Sequence, residues 1–461
     1  MSTRTTLLVR PTTWRRVIRL TAVQLVVVGV GVLLVRLVLE LGSSSATNVG
    51  GVDGGTASAG AGHGDLLAKV LLAALVVVAV ARGTGSLALR IGQPRVVGEI
   101  VGGFLLGPTV LGALAPEVSA WLIPAEALPA LDAFAQLGLV LFMFLVGLEL
   151  DTSLIRRQGH QAAVLSNVGM VVPFTLGVGI ALALHPTFGG DIPFAPFALF
   201  LGASMAITAF PVLAGILTER GLFRRPLGSL ALTCAAVDDV TAWFLLAAVV
   251  ALVRATSPAD AAITGALAVT FAVVMMLVVR PLLRRLVSRF LPDERVTPGA
   301  MALVVVGLLA SAWTTETIGI HAIFGAFMFG AVLPLRTPVV EALHGRIGSL
   351  TSVLLLPAFF AATGLHTDLL AVAGDPRAAW GAFGLIMLAA VGGKLGAISL
   401  TARGLGMPWR ESAALGVLMN TRGLTELVIL GIGLQLGAIP HDLYGLLVVM
   451  ALLTTAATTP L

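Results

Sequence analysis

Charge is scarce in this chain and cysteine nearly absent. Only 11% of the 461 residues are charged while 57% are apolar, and the mean hydropathy is +1.02. So little polar surface cannot clothe a soluble fold, so the chain is an integral membrane protein. The one cysteine, Cys234, lies in an apolar run. That excludes an intrachain disulfide and a cysteine metal cluster, and leaves Cys234 as a small core residue. The 28 lysines and arginines give a net charge of +5 but stand singly between apolar runs. They form no basic patch, so no nucleic-acid partner is expected. No segment reads as a soluble enzyme domain, and no cofactor is expected.

What is there is one apolar run after another, each near the roughly 20 residues that a helix needs to cross a bilayer. The runs are 17–39, 65–83, 95–114, 131–150, 162–184, 195–217, 227–253, 259–279, 298–316, 320–335, 347–367, 378–402, 411–436 and 440–460. The reading is an all-α polytopic membrane protein with thirteen or fourteen spans. The first run follows Arg4, Arg10, Arg15, Arg16 and Arg19, and is either a cleaved signal or an anchor. With the Gly/Ser/Ala-rich linker at 41–64 it makes an N-terminal region, 1–64, ahead of a membrane domain at 65–461. The 53 glycines read as contacts for close helix packing in lipid.

Lysine and arginine accumulate in cytoplasmic loops. Threading the spans puts 22 of the 28 cations on one side, with only Arg36, Lys69, Arg254 and Arg377 opposite and Lys394 and Arg422 inside spans. Both chain ends are therefore expected in the cytoplasm, unless the first segment is removed.

The intramembrane charges carry the functional signal. Asp238 and Asp239 are the only charges between Arg225 and Arg254 and fall mid-span. A carboxylate there costs about 2.5–3.5 kcal/mol even on permissive insertion scales, so the pair needs a cavity, a proton or a partner. Adjacent helical positions diverge by about 100°, so one Asp can face a protein partner and the other a cavity. Lys394, sixteen residues into the 378–402 run, is the natural partner, the alternative being a side chain that snorkels to the interface. Pro211 in Thr208-Ala209-Phe210-Pro211 should break the 195–217 helix, leaving carbonyls beside the Thr208 hydroxyl as cation ligands. A second break is expected at Asn420-Thr421-Arg422-Gly423. Arg422 and Glu426, four residues apart, share a helix face and read as a pair with each other. The triplets 162–253 and 378–460 each hold a broken helix in the middle and run in opposite directions, which suggests an inverted repeat with a site at its centre. Glu99, Glu149 and Glu316 lie nearer helix ends, where carboxylates cost less, and Asp151 reads as interfacial. His321 reads as structural, with a proton relay as the alternative.

The motifs VGEIVGGFLLGPTVLG (97–112), LFMFLVGLELD (141–151), AITAFPVLAGIL (206–217), AAVDDVTAW (235–243), GIHAIFGAFMFGAVLP (319–334), LPAFFAATGLHTDL (356–369) and LMNTRGLTELVIL (418–430) follow in order. Together they resemble the monovalent cation:proton antiporters of the sodium/hydrogen exchanger type, in their second bacterial branch. The resemblance implies a thirteen-helix core with two crossed broken helices, a mobile ion-carrying domain, a homodimer and a place in the cytoplasmic membrane. It implies that Asp239 binds the ion, that Asp238 pairs with Lys394, and that the paired-Asp form is electrogenic. No GxGxxG unit follows the membrane domain, so ligand-gated potassium efflux is not expected.

The expected mechanism is competition: Asp239 takes a proton or a dehydrated monovalent cation, sodium or potassium, with Asp238 and Thr208 as further ligands. The exchange would serve pH and cation homeostasis. A passive channel of the same fold is the alternative, disfavoured by the inverted repeat. An intramembrane aspartyl protease needs two carboxylates converging on one water, which adjacent helical residues do not do.

Overall fold

The computed structural model describes residues 63–149, 152–222, 225–254, 257–290, 297–333, 342–367 and 376–458, and among these every regular element is a helix. The candidate helix at 17–39 lies outside the described residues, as do Asp151 and the side chain of Glu149. The helices are α1 (His63–Arg90), α2 (Arg95–Leu106), α3 (Pro116–Leu122), α4 (Leu128–Glu149), α5 (Thr152–Phe188), α6 (Phe194–Ala206), α7 (Phe210–Glu219), α8 (Pro226–Arg254) and α9 (Pro258–Val274). There follow α10 (Arg280–Phe290), α11 (Pro298–Ile318), α12 (Ala322–Val332), α13 (Leu356–Leu365), α14 (Pro376–Met387), α15 (Gly393–Gly404), α16 (Trp409–Met419), α17 (Leu424–Gln435) and α18 (His441–Thr458). Single π-helical turns at Met275–Val279 and Leu388–Gly392 join α9 to α10 and α14 to α15 without a stop.

Among the described residues eleven stretches are long and apolar enough to cross a bilayer, and two shorter apolar helices, Ala322–Val332 and Thr425–Gln435, supplement them. Each expected span from 65 onward has a helical counterpart. The main difference is at the ends. The Gly83-Thr84-Gly85-Ser86 stretch suggests a stop near 83, yet α1 continues to Arg90 because a tertiary partner covers it. That partner is α2. A Cβ on Gly98 would fall 2.3 Å from the Thr84 carbonyl oxygen, and one on Gly85 would touch the Glu99 side chain at 3.0 Å. The same approach covers Glu99: it lies near the start of α2, as expected, yet is 3% exposed, with Arg82 at 3.9 Å.

Two layers of glycine contact hold the outer bundle. α4 and α12 meet where a Cβ on Gly147 would lie 2.2 Å from the Phe327 oxygen and one on Gly330 2.2 Å from the Phe144 oxygen. α2 and α13 meet in the same way at Gly103 and Gly364, the Ala361 oxygen lying 2.2 Å from a Cβ on Gly103. Lipid offers helices no hydrophobic gain from associating, so backbone proximity and its dispersion contacts supply the attraction. The second bundle contains α5 to α8 and α14 to α18. In it α5 packs on α6, α8 and α15, and α17 packs on α6, so the two triplets interlock as an inverted repeat. Cys234 is buried there among Leu213, Leu230 and Leu415, as a core residue.

Just beyond the end of α13, His366 Nε2 lies 3.4 Å from Asp132 Oδ2 on α4. Asp132, through its hydrogen bond, raises the imidazole above its usual value near 6.5. A raised folded-state value means that this pair stabilises the fold in acid and loses its contribution as pH rises through the folded value. His366→Asn should flatten that part of the pH profile of thermal stability in detergent, by at most about 1 kcal/mol for so exposed a pair. Gly103→Ala should cost about 1–3 kcal/mol by overpacking. Gly83→Ala, where a Cβ meets nothing within 4 Å, should be neutral or stabilise by up to about 1 kcal/mol, both read as melting shifts.

Candidate functional site

The site is built where two helices stop in mid-membrane. α6 ends at Ala206 and α7 begins at Phe210, with Ile207 (φ −95°, ψ 144°) and Ala209 (φ −85°, ψ 100°) extended between them. Pro211 lies in the first turn of α7, where its missing N–H costs nothing, so the break lies on its N-terminal side. α16 ends at Met419 and α17 starts after Gly423. Gly423 has φ 154°, and a Cβ there would approach Val212 Cγ2 to 2.7 Å, so both backbone and space demand glycine. The Ala209 amide donates to the Thr421 carbonyl at 3.0 Å, tying one break to the other.

Each interrupted helix leaves carbonyls without intrahelical donors at its end. On α6 they are met by cations from the other repeat. Arg422 donates through Nη1 to Ser204 O at 2.6 Å and through Nη2 to Met205 O at 3.0 Å, and Lys394 Nζ donates to Ala206 O. On α16 neutral hydroxyls do the same task. Thr421 donates to Leu418 O at 2.7 Å, and Thr208 Oγ1 lies 2.8 Å from Met419 O.

The two aspartates on α8 have unlike surroundings. Asp238 is fully buried and accepts from Ser166 at 2.5 Å on Oδ1, and from Thr208 at 2.7 Å and Lys394 at 3.1 Å on Oδ2. Lys394, itself fully buried, thus bridges a carboxylate and a helix end. The Thr208 hydroxyl has one proton, so Asp238 and Met419 O compete for it. Asp239, 3% exposed, is reached by the Phe210 amide at the start of α7 and by the Thr425 hydroxyl at 3.4 Å, a long contact. Its carboxylate therefore has spare accepting capacity, and Asp238 has almost none.

Arg422 and Glu426 are 3.1 Å apart and each 1% exposed. The pair forms as the sequence spacing suggests, yet Arg422 does more by closing the end of α6. Asn420 is buried beside the second break, its Oδ1 without a hydrogen-bond partner among the described residues. Glu316 and His321 lie apart from this centre: Glu316 faces Arg254 at 3.6 Å and accepts the Ala322 amide at 2.7 Å, and His321 precedes α12 without a side-chain cap bond. Sequence reasoning missed Ser166, Thr425 and Thr455, whose hydroxyl donates to the Arg422 carbonyl at 2.8 Å. Hydroxyls on apolar helices here mostly bond back to the preceding turn, as Thr175 and Thr270 do and as Thr455 also does to Ala451 O, so nothing in the sequence marks the three that reach another element. Two clefts of about 390 and 330 Å³ converge on Pro211, one passing Arg95 and Ile216, the other His344, Ser349 and Thr351.

The chain as a whole is similar to known proteins. Residues 74–461 match the family described as sodium/hydrogen exchanger, transmembrane. A sodium/proton antiporter of Synechocystis, NhaS4, is 41% identical over 86% of this chain and 96% of its own length. Cation/proton antiporter 19 of Arabidopsis thaliana is 38% identical over 86% of this chain, and potassium/proton antiporter 1 of Saccharomyces cerevisiae 34% identical over 80%. The chain spans about half the length of these last two, 49% and 43%. Among solved structures the sodium/proton antiporter MjNhaP1 of Methanocaldococcus jannaschii superposes with a TM-score of 0.59 at 15% identity, over 86% of this chain and 94% of that one, which shows the shared fold. With its two facing helix breaks and its membrane-buried Asp–Lys pair, the chain belongs to the sodium/hydrogen exchanger family of membrane transporters.

Proposed function

We propose that this chain exchanges a monovalent cation, sodium or potassium, for protons across the cytoplasmic membrane, with Asp239 as the group for which the two compete. The observation that carries the reading is the inequality of the aspartates. Asp238 is saturated by Ser166, Thr208 and Lys394, whereas Asp239 has only one amide and a 3.4 Å hydroxyl. A carboxylate with unused lone pairs in a dry setting must take a proton or a cation, and it has no room to hold both usefully. Thr208 and the Met419 carbonyl, 2.8 Å from each other, supply further oxygens, as unwound backbone does for cations in transporters of this architecture. The names of the related antiporters, for sodium in one case and potassium in another, support the substrate class.

Alternating access follows from moving the interlocked repeats past the glycine-packed bundle, with the clefts at Pro211 as the approach from the cation-rich side. The excess of loop cations supports a cytoplasmic position for that side, and for both chain ends unless the first segment is cleaved. A cation that draws Asp238 away from Lys394 releases a second proton, which makes the exchange electrogenic. A homodimer is the assembly that suits a fixed bundle with a moving partner.

Proton flux in proteoliposomes under an imposed pH gradient, started by sodium or potassium, tests this. Asp239→Asn should fall to the level of protein-free vesicles; full exchange in that variant would sink the reading. Asp238→Asn should keep exchange with fewer protons per cation, read from the dependence on membrane potential. Removing the ammonium in Lys394→Ala leaves Asp238 buried and unpaired, so stability should fall by about 3–5 kcal/mol. The double variant Asp238→Asn/Lys394→Gln should recover most of the melting temperature.

A further inference from the structure

A further concavity of about 650 Å³, lined by none of the residues that form the ion site, lies between α8, α9 and the α12 region. It exists because small residues face each other where two helices are held apart: Ala247, Ala248 and Ala251 on α8, and Gly265, Ala268 and Ala272 on α9. A Cβ built on Gly265 meets nothing within 4 Å, so the space is open up to the backbone. Phe324, Phe327 and Met328 form the floor, where Phe324 meets Phe244 edge-on at a ring distance of 5.5 Å and Phe271 at a tilt at 6.3 Å. No lining residue carries a hydrogen-bonding side chain, so water has no partner there, and an empty cavity forfeits the dispersion contacts of its walls.

We propose that this groove binds one acyl chain of a phospholipid whose headgroup lies beside Arg254. Its length selects the occupant. From Ala251 to Val240 the α8 wall rises about 16 Å, which matches the half-thickness of a hydrocarbon core of about 30 Å. Val269 and Leu277, 64% and 71% exposed, flank the mouth, and both α8 and α9 belong to membrane-crossing stretches, so the mouth faces lipid. Arg254 follows Ala251 by three residues on the same helix, where phosphate groups begin. Its guanidinium is partly exposed and only loosely engaged, with Glu316 at 3.6 Å. Other polar groups at that end, among the described residues, include His321, 3.9 Å from Glu316, Asp260 in the first turn of α9, and the Ser257 hydroxyl, which accepts the Asp260 amide. A helix from a second copy, about 10 Å across, would need about twice the volume over that length. The inner end of the groove adjoins Asp239 through Val240, so the lipid would touch the helix that carries both aspartates. The site does not rest on the exchange reading.

The test uses the full chain in phosphatidylethanolamine and phosphatidylglycerol vesicles doped with phosphatidylglycerol carrying a photoreactive diazirine at mid-chain or at the chain end, with adducts mapped by peptide mass spectrometry. Mid-chain adducts should exceed those on the lipid-facing α1 residues Leu67, Leu71 and Leu75 and should concentrate around Ala247 and Ala268. Chain-end adducts should move to Val240 and Leu277. Gly265→Phe fills the groove and should abolish the excess, while Gly265→Ala should keep it. Ala248→Phe fills the same space from the opposite wall and must also abolish the excess, so a folding failure of one variant leaves the other. Adduct density equal to that on α1, a reversed depth order, or an excess that survives in a monodisperse filled variant overturns the proposal. So does disulfide capture of a second copy through Ala268→Cys, which would make the groove an interface between chains.

Discussion

One ammonium group holds the centre of this molecule. Lys394 enters the membrane on α15 and there meets both the terminal carbonyl of α6 and the Asp238 carboxylate. Each contact alone would leave a buried charge or a buried helix end incompletely paired, at a cost of several kcal/mol. Together they join three elements that have no sequence proximity: a half-helix of the first repeat, the aspartate helix and a helix of the second repeat. The break in α6/α7 can exist only because its carbonyls have donors, so the chemistry of Lys394 and Arg422 is a condition for the geometry around Asp239.

The surrounding fold divides the labour differently. The α2/α13 and α4/α12 contacts are backbone against backbone with glycine between, and they tolerate no added atom without a shift. The repeat bundle is joined through polar pairs and through one amide–carbonyl bond between the breaks. Close-packed glycine faces make a stiff frame, whereas charge-assisted pairs can exchange partners at nearly constant energy if an equivalent partner arrives. A transporter needs both properties, and α6 combines them: a Cβ on its Gly202 would lie 2.9 Å from the Phe174 oxygen, while its last carbonyls take Arg422 and Lys394.

Much of this was legible in the sequence because lipid is an exacting solvent. The runs at 195–217 and 227–253 match Phe194–Thr218 and Pro226–Arg254 closely, since apolar length must equal membrane thickness. Pro211 and Gly423 announced the breaks through backbone chemistry alone. The divergence of adjacent helical positions foretold that Asp238 and Asp239 would see different surroundings. Other features were hidden for identifiable reasons. Glu99 lies near a helix start, yet the close approach of Gly85 and Gly98 covers it, and only tertiary packing determines that. The π-helical turns at 275–279 and 388–392 leave no pattern in residue type. Ser166 and Thr425 resemble every other hydroxyl in an apolar helix until the partner helix is in place.

The inverted repeat also has an uneven distribution of charge. α6 and α16 are the corresponding half-helices of the two triplets, each ending at a break. Their ends differ, because two fixed cations close α6 while neutral hydroxyls and backbone amides close α16. The symmetry is therefore one of shape and not of electric field. Turning the centre over would present a visiting ion with a different potential, so the two membrane faces are inequivalent to it before any gradient is applied.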